Sequence, residues 1–225
     1  MMSETRQPDT QIRAAIVATC VRMTELGLNH GTAGNVSVRV GERFLVTPSG
    51  VDYDRLTPES IVSVAFDGSF EGSAQPSSEW RLHAALLQAR PEMRAVVHTH
   101  SPHATAVACL REPIPSFHYL VGLGGRAEIP CAAYATYGTA ELAANAVAVL
   151  RDGKTCLLAN HGALALGTTL RQALALAASV ETLATQYVLA RQIGTPVLLD
   201  QAEMARAIDK LGTYGPNRPE PDAAY

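Results

Sequence analysis

Pro76-Ser77-Ser78-Glu79-Trp80-Arg81-Leu82-His83 opens the stretch on which the reading of this chain turns, and Ala95-Val96-Val97-His98-Thr99-His100-Ser101-Pro102-His103 closes it. Ser77 and Ser78 stand just before an apolar helical pattern (Leu82, Leu86, Leu87), where helix N-caps sit. Glu79 is then expected in the first turn, beside free N–H groups and the positive end of the helix dipole. The second half is a β-branched run ending in His98-Thr99-His100. Residues i and i+2 of a strand share a face, so the two imidazoles point the same way. Such a pair is either a polar strand face or half of a metal site. Thr155-Cys156-Leu157-Leu158-Ala159-Asn160-His161-Gly162 repeats the pattern of a buried strand ending in histidine. His98, His100 and His161 together match the ligand count of a catalytic zinc site that keeps one position open.

Working outward, Gln11 to Leu28 carries Ile12, Ile16, Thr19, Met23 and Leu26 at helical spacing, with Gly27 as its stop. Gly31-Thr32-Ala33-Gly34-Asn35 is a glycine-rich turn entering an alternating strand. Its backbone N–H groups and the Asn35 side chain are either a plain turn or an anion cradle. Strands are expected at Arg43 to Thr47, Ile61 to Phe66, Ala127 to Ala133 and Ala163 to Leu166. Helices are expected at 101–110, 140–151, 169–193 and 201–211. Strands and helices do not alternate strictly, so the fold class is α/β. We expect a single three-layer domain over residues 1–225, helices flanking a mainly antiparallel or mixed sheet, with residues 1–10 and 216–225 as loose tails.

Composition narrows the function classes. A net charge of −3 with scattered Lys and Arg speaks against nucleic acid or an anionic membrane surface. No apolar run reaches the roughly 18 residues of a membrane span, and the polar first ten residues do not read as a signal peptide. The four cysteines lack Cys-x-x-Cys spacing and read as reduced thiols of a cytoplasmic protein. His83 reads as a surface or packed histidine, Trp80 as packing, and neither His30 nor His103 as a ligand.

Gly31–Ser37, Thr47-Pro48-Ser49-Gly50, Pro76–Glu79, His98-Thr99-His100, Pro130–Thr139 and Asn160-His161-Gly162 recur in one order, and with them the chain resembles the class II aldolase/adducin family. The nearest branch is the one that cleaves L-fuculose 1-phosphate. The resemblance implies a zinc ion on His98, His100 and His161, with manganese or cobalt as alternatives, and Glu79 reaching the metal when substrate is absent. It also implies a phosphate pocket of Gly34, Asn35, Ser49, Gly50, Ser77 and Ser78, and a homotetramer with active sites between subunits. The implied reaction splits a deoxyketose 1-phosphate (of L-fuculose, 5-deoxyribulose or 5-methylthioribulose) into dihydroxyacetone phosphate and an aldehyde. Zinc is the electron sink for the enediolate, Glu79 the acid/base, and Tyr119 the group that handles the aldehyde-side proton in a neighbouring subunit. Lys210-Leu211-Gly212-Thr213-Tyr214 matches a segment that lines the neighbour's aldehyde pocket, with Leu211 where the fuculose enzymes carry phenylalanine. A 4-epimerase of the same fold and a non-catalytic adducin-like module are the alternatives. Epimerases typically carry Asp at the Glu79 position, and modules lose the histidines.

Overall fold

The computed structural model describes residues 6–72 and 74–214. Its elements, in chain order, are helix α1 (Arg6–Glu25), strands β1 (Asn35–Val40), β2 (Arg43–Val46), β3 (Val62–Ala65) and β4 (Phe70–Glu71), and helix α2 (Trp80–Ala89). Strand β5 (Ala95–Thr99), helix α3 (Pro102–Cys109), strand β6 (Cys131–Ala132) and helix α4 (Ala140–Val149) follow. Strands β7 (Thr155–Leu158) and β8 (Gly162–Gly167) and helices α5 (Leu170–Ile193) and α6 (Gln201–Leu211) complete the chain. The strands form one eight-stranded sheet in the order β4-β3-β2-β1-β5-β8-β7-β6. Every pairing is antiparallel except β6 with β7, which makes the sheet mainly antiparallel and mixed, as expected.

Strand β5 lies in the middle and is buried along its whole length. Its alternation divides the core in two. Ala95 and Val97 pack with Ile12, Ile16 and Met23 of α1 and Ala173, Leu176 and Ala177 of α5. Val96 packs on the opposite face with Leu82, Leu86 and Leu87 of α2 and Leu142, Ala143 and Ala146 of α4. His98 shares the parity of Val96, so it emerges on the α2 side of the sheet. That parity brings the strand histidines to the same face as Glu79, which directly precedes α2.

Several local expectations are corrected. Helix α1 begins at Arg6, so residues 6–10 are helical rather than a loose tail; Pro8 is tolerated in a first turn whose N–H groups have no helical partner. The rest of the expected tails, residues 1–5 and 216–225, lies outside the described residues. The strand expected over Ala127 to Ala133 shrinks to Cys131–Ala132, because Pro130 has no N–H to give a ladder. Only an isolated bridge between Ile114 and Ile129 extends the pairing. Helix α5 passes a test of length and mean composition for a membrane span because many small alanines raise its apolar content, although Arg171, Glu181 and Arg191 interrupt it and leave no unbroken apolar run of that length. Its buried residues, from Leu170 through Val180 to Tyr187, face the core of this fold.

Candidate active site

Pairing register assembles the site. Asn35 at the start of β1 is opposite His98 on β5, and His98 is opposite Leu164 on β8. His161 directly precedes β8, so the same pairing carries it to the end of β5. Two glycines permit the approach. A Cβ on Gly162 would lie 2.2 Å from the Thr99 carbonyl oxygen and 3.2 and 3.3 Å from the rings of His100 and His98. Gly34 has φ +76°, and a Cβ there would lie 2.4 Å from Asn29 Nδ2 and 2.6 Å from the His98 carbonyl oxygen.

Glu79, His98, His100 and His161 bring one ligand atom each to within 4.8 Å of one another. The three rings stand edge-on, with centroids 4.8, 4.8 and 4.9 Å apart and interplanar angles of 72°, 80° and 90°. Glu79 Oε2 lies 3.2 Å from His98 Nε2, and Oε1 lies 3.3 Å from His161 Nε2. His98 Nδ1 donates to the Ala163 carbonyl at 2.9 Å, which turns the Nε2 lone pair toward the cluster. That lone pair is 2.9 Å from His100 Nε2. Three imidazole nitrogens and a carboxylate this close, with Glu79 Oε1 buried and making no hydrogen bond, form a donor set matched to a divalent cation.

The electrostatics agree. Burial, followed by the charges of His98 and His161, pushes His100 down to about 3. Burial and the charge of His98 push His161 down to about 4. Both rings are therefore neutral at physiological pH, the form that coordinates metal. For His98, burial lowers the pKa, but the charge and hydrogen bond of Glu79 outweigh it and the net shift is upward. For Glu79, burial favours the neutral acid. The charge and hydrogen bond of His98, then His161 and Asn35, outweigh it and hold the carboxyl well below the ordinary range.

Glu79 is the N-cap of α2 and not a first-turn residue, and neither serine caps the helix through its side chain. The Glu79 carboxylate is committed to Asn35 and the histidines, so it turns away from the helix N–H groups. Ser77 Oγ instead accepts from the Glu79 N–H at 3.3 Å.

A cavity of about 360 Å³ opens over the cluster. Gly34, Asn35, Ser49, Gly50, Ser77 and Ser78 all line it, together with Glu79, His100 and His161. Among the described residues, no Lys or Arg lines it. Tyr134, Tyr137 and Asn160 also line it, although sequence reasoning gave them no role; two tyrosines within Tyr134-Ala135-Thr136-Tyr137 were the available signal. Tyr119, Leu211 and Tyr214 lie together in a different cavity of about 660 Å³, and no residue lines both. Tyr119 and Tyr214 are 50% and 64% exposed, whereas Leu211 is 4% exposed and packs beside Gly122.

The residues set aside in the sequence are also placed. His103 Nδ1 is bonded to Glu181 at 2.8 Å, and His30 is exposed. Trp80 packs over Gly68, where a Cβ would come within 2.3 Å of the ring. His83 is fully buried, so the packed reading holds; its two ring nitrogens engage Ser37 and Asn35, a link the sequence reading missed.

The family model described as Class II Aldolase and Adducin N-terminal domain matches residues 14–188. The chain is 48% identical, over 214 residues covering 94% of it and 97% of its relative, to a 5-methylthioribulose-1-phosphate/5-deoxyribulose-1-phosphate aldolase of Rhodospirillum rubrum. It is 46% identical over 201 residues, 89% of this chain and 94% of the relative, to the L-fuculose phosphate aldolase of Escherichia coli strain K12. The solved structure of an L-fuculose 1-phosphate aldolase superposes with a TM-score of 0.86 at 37% identity, covering 89% of this chain and 95% of that one. With its fold, its His/Glu cluster and these relatives in agreement, the chain belongs to the class II aldolase and adducin family.

Proposed function

We propose that this protein cleaves a deoxyketose 1-phosphate into dihydroxyacetone phosphate and an aldehyde, with His98, His100 and His161 holding a zinc ion that Glu79 also reaches when substrate is absent. The observation that carries the reading is the shared cavity: Glu79, His100 and His161 of the four-residue cluster line one space with the six expected phosphate residues, and His98 lies buried beneath it. The coarser statement, a metal-dependent lyase of the class II aldolase type, rests on the named relatives and the donor set. The substrate candidates follow from the relatives' names: the 1-phosphates of L-fuculose, 5-deoxyribulose and 5-methylthioribulose.

A divalent cation bound there supplies Lewis acidity toward a carbonyl oxygen. The chain does the rest. With no Lys or Arg among the described residues lining the cavity, the phosphate is held by hydroxyls, the Asn35 carboxamide and backbone N–H groups around Gly34, Ser49, Gly50, Ser77 and Ser78. The positive N-terminal end of α2 adds to that field. When the C3–C4 bond breaks, the C4 hydroxyl gives up its proton, with Tyr119 of a neighbouring copy relaying it to solvent by accepting it as its own phenolic proton leaves. The electron pair stays with the dihydroxyacetone phosphate half, and Glu79, protonated from solvent through the open cavity, gives that proton to C3 and is left as the carboxylate. Glu79 Oε2 already accepts from Asn35 Nδ2 at 2.9 Å, so Oε1, which makes no hydrogen bond and lies 3.3 Å from His161 Nε2, is the oxygen that carries that proton.

Removing a phosphate contact weakens ground and transition states alike. Ser78→Ala should therefore raise KM by about two- to tenfold with kcat little changed, measured by initial rates. Ser77→Ala should follow, with any kcat loss traceable to its bond with the Glu79 N–H.

Tyr119, Leu211 and Tyr214 share a cavity away from their own chain's cluster, which supports a homotetramer in which they complete a neighbour's site. We take Leu211 and Tyr214 as aldehyde-pocket residues on this basis. Leu211→Phe should swing kcat/KM back toward fuculose 1-phosphate, relative to the methylthio substrate, by roughly tenfold. The ring must fit beside Gly122, so Tm should fall at the same time, an overpacking effect. Four free cysteines support a reducing compartment, the cytoplasm. The single sheet and the family match support reading residues 1–225 as one domain.

The direct test is a panel of the three sugar phosphates, read by coupled detection of dihydroxyacetone phosphate. Release from at least one supports the assignment. Interconversion of C4 epimers without release would point to an epimerase instead, and turnover of none would remove the assignment.

A further inference from the structure

Behind Glu79 lies a buried polar chain that the reaction as described does not use. Asn35 and Ser37 share one face of β1 at i and i+2, and Glu79 and His83 are one helical turn apart at the start of α2. Their packing places the His83 ring between the two β1 side chains. Ser37 Oγ lies 2.6 Å from Nδ1, and Asn35 Oδ1 lies within hydrogen-bond distance of Nε2. The other end of the Asn35 carboxamide, Nδ2, donates to Glu79 Oε2 at 2.9 Å. Ser37 and His83 are wholly buried and Asn35 is 6% exposed, so water does not stand in for a missing partner.

Donor and acceptor rules leave one arrangement. A carboxylate oxygen accepts, so Asn35 must present its NH2 to Glu79 and its carbonyl to the ring. His83 Nε2 must then carry a proton, and Nδ1 must accept from the Ser37 hydroxyl. The opposite tautomer would flip the amide and set its carbonyl against the Glu79 carboxylate, an acceptor facing an acceptor. Burial, with the charge of His98 behind it, pushes His83 down to about 3, consistent with a neutral ring.

We infer that His83 is a positioning residue for proton transfer: latched by Ser37, its Nε2–H fixes the Asn35 carboxamide so that an N–H is always delivered to Glu79 Oε2. The effect is to leave Oε1 as the reacting oxygen. This rests on Glu79 being the proton carrier and adds how that carboxylate is aimed.

Two substitutions separate the ring's nitrogens. His83→Asn places an amide near Nδ1 and loses the donor to Asn35, whereas His83→Gln keeps a donor near Nε2. His83→Asn should lower kcat by about tenfold, the equivalent of one hydrogen bond to a charged group, with KM and metal content unchanged. His83→Gln should recover to within about threefold of wild type, and Ser37→Ala should lose about threefold, the smaller effect expected of the neutral latch. Imidazole ¹⁵N spectra of the metal-loaded protein should show His83 neutral with its proton on Nε2, a readout independent of turnover. A proton on Nδ1, or His83→Asn at wild-type kcat while Glu79→Gln is inactive, would overturn the inference alone. Full activity in Glu79→Gln would remove the underlying assignment and this inference with it. If His83→Asn does not fold, the spectrum of the unmodified protein still decides.

Discussion

Glu79→Gln is expected to lower turnover by roughly 10²–10⁴-fold, the usual contribution of a general acid–base group. Gln keeps the length and planarity of the side chain, and its carbonyl can still accept from Asn35 Nδ2, which now bonds Oε2 at 2.9 Å. It cannot carry a proton at neutral pH. The loss should therefore fall on kcat, with the fold intact by circular dichroism and the histidines still in place. The carboxylate is held ionised against its burial by His98, His161 and Asn35, the form that the proposed role as base of the condensation direction requires across the neutral range. A variant within threefold of wild type would assign Glu79 to structure.

His100→Ala should be at least as damaging. His100 and His98 meet at 2.9 Å between their Nε2 atoms, and removing one leaves Glu79, His98 and His161 to hold a cation unaided. Losing Lewis acidity worth several kcal/mol corresponds to roughly 10³-fold or more in rate. Elemental analysis should find about one divalent ion per chain in wild type, the stoichiometry of a single catalytic centre, and little in the variant. His100 directly follows β5 and is partly exposed, so the fold should survive its loss. Retained metal with retained activity would place the ion elsewhere.

The parts of this site that were legible in the sequence are those set by local periodicity. His98 and His100 declare themselves because strand residues two apart share a face, and β5 is an uninterrupted buried strand. His161 followed from the second buried run. The turns proposed to hold phosphate were weak signals individually, and only their order along the chain gave them weight. Long-range packing was not legible. Nothing near Ser37 in sequence announces that β1 pairs with β5 in the register that sets Asn35 opposite His98. His83 was set aside for the same reason: its use depends on how α2 packs over β1, which no local pattern encodes. Glu79 moved from first turn to N-cap because tertiary partners outbid the helix for its carboxylate. Leu211 gave no sign of being mostly buried, since its neighbour Gly122 is nearly ninety residues away in the chain.

The most direct test of the central claim is dihydroxyacetone phosphate release by protein stripped of metal with a chelator and then titrated with zinc. The account predicts negligible release from the stripped protein and recovery that saturates at about one zinc per chain, as a single site of four converging ligands requires. Full release from a thoroughly metal-free sample would contradict it.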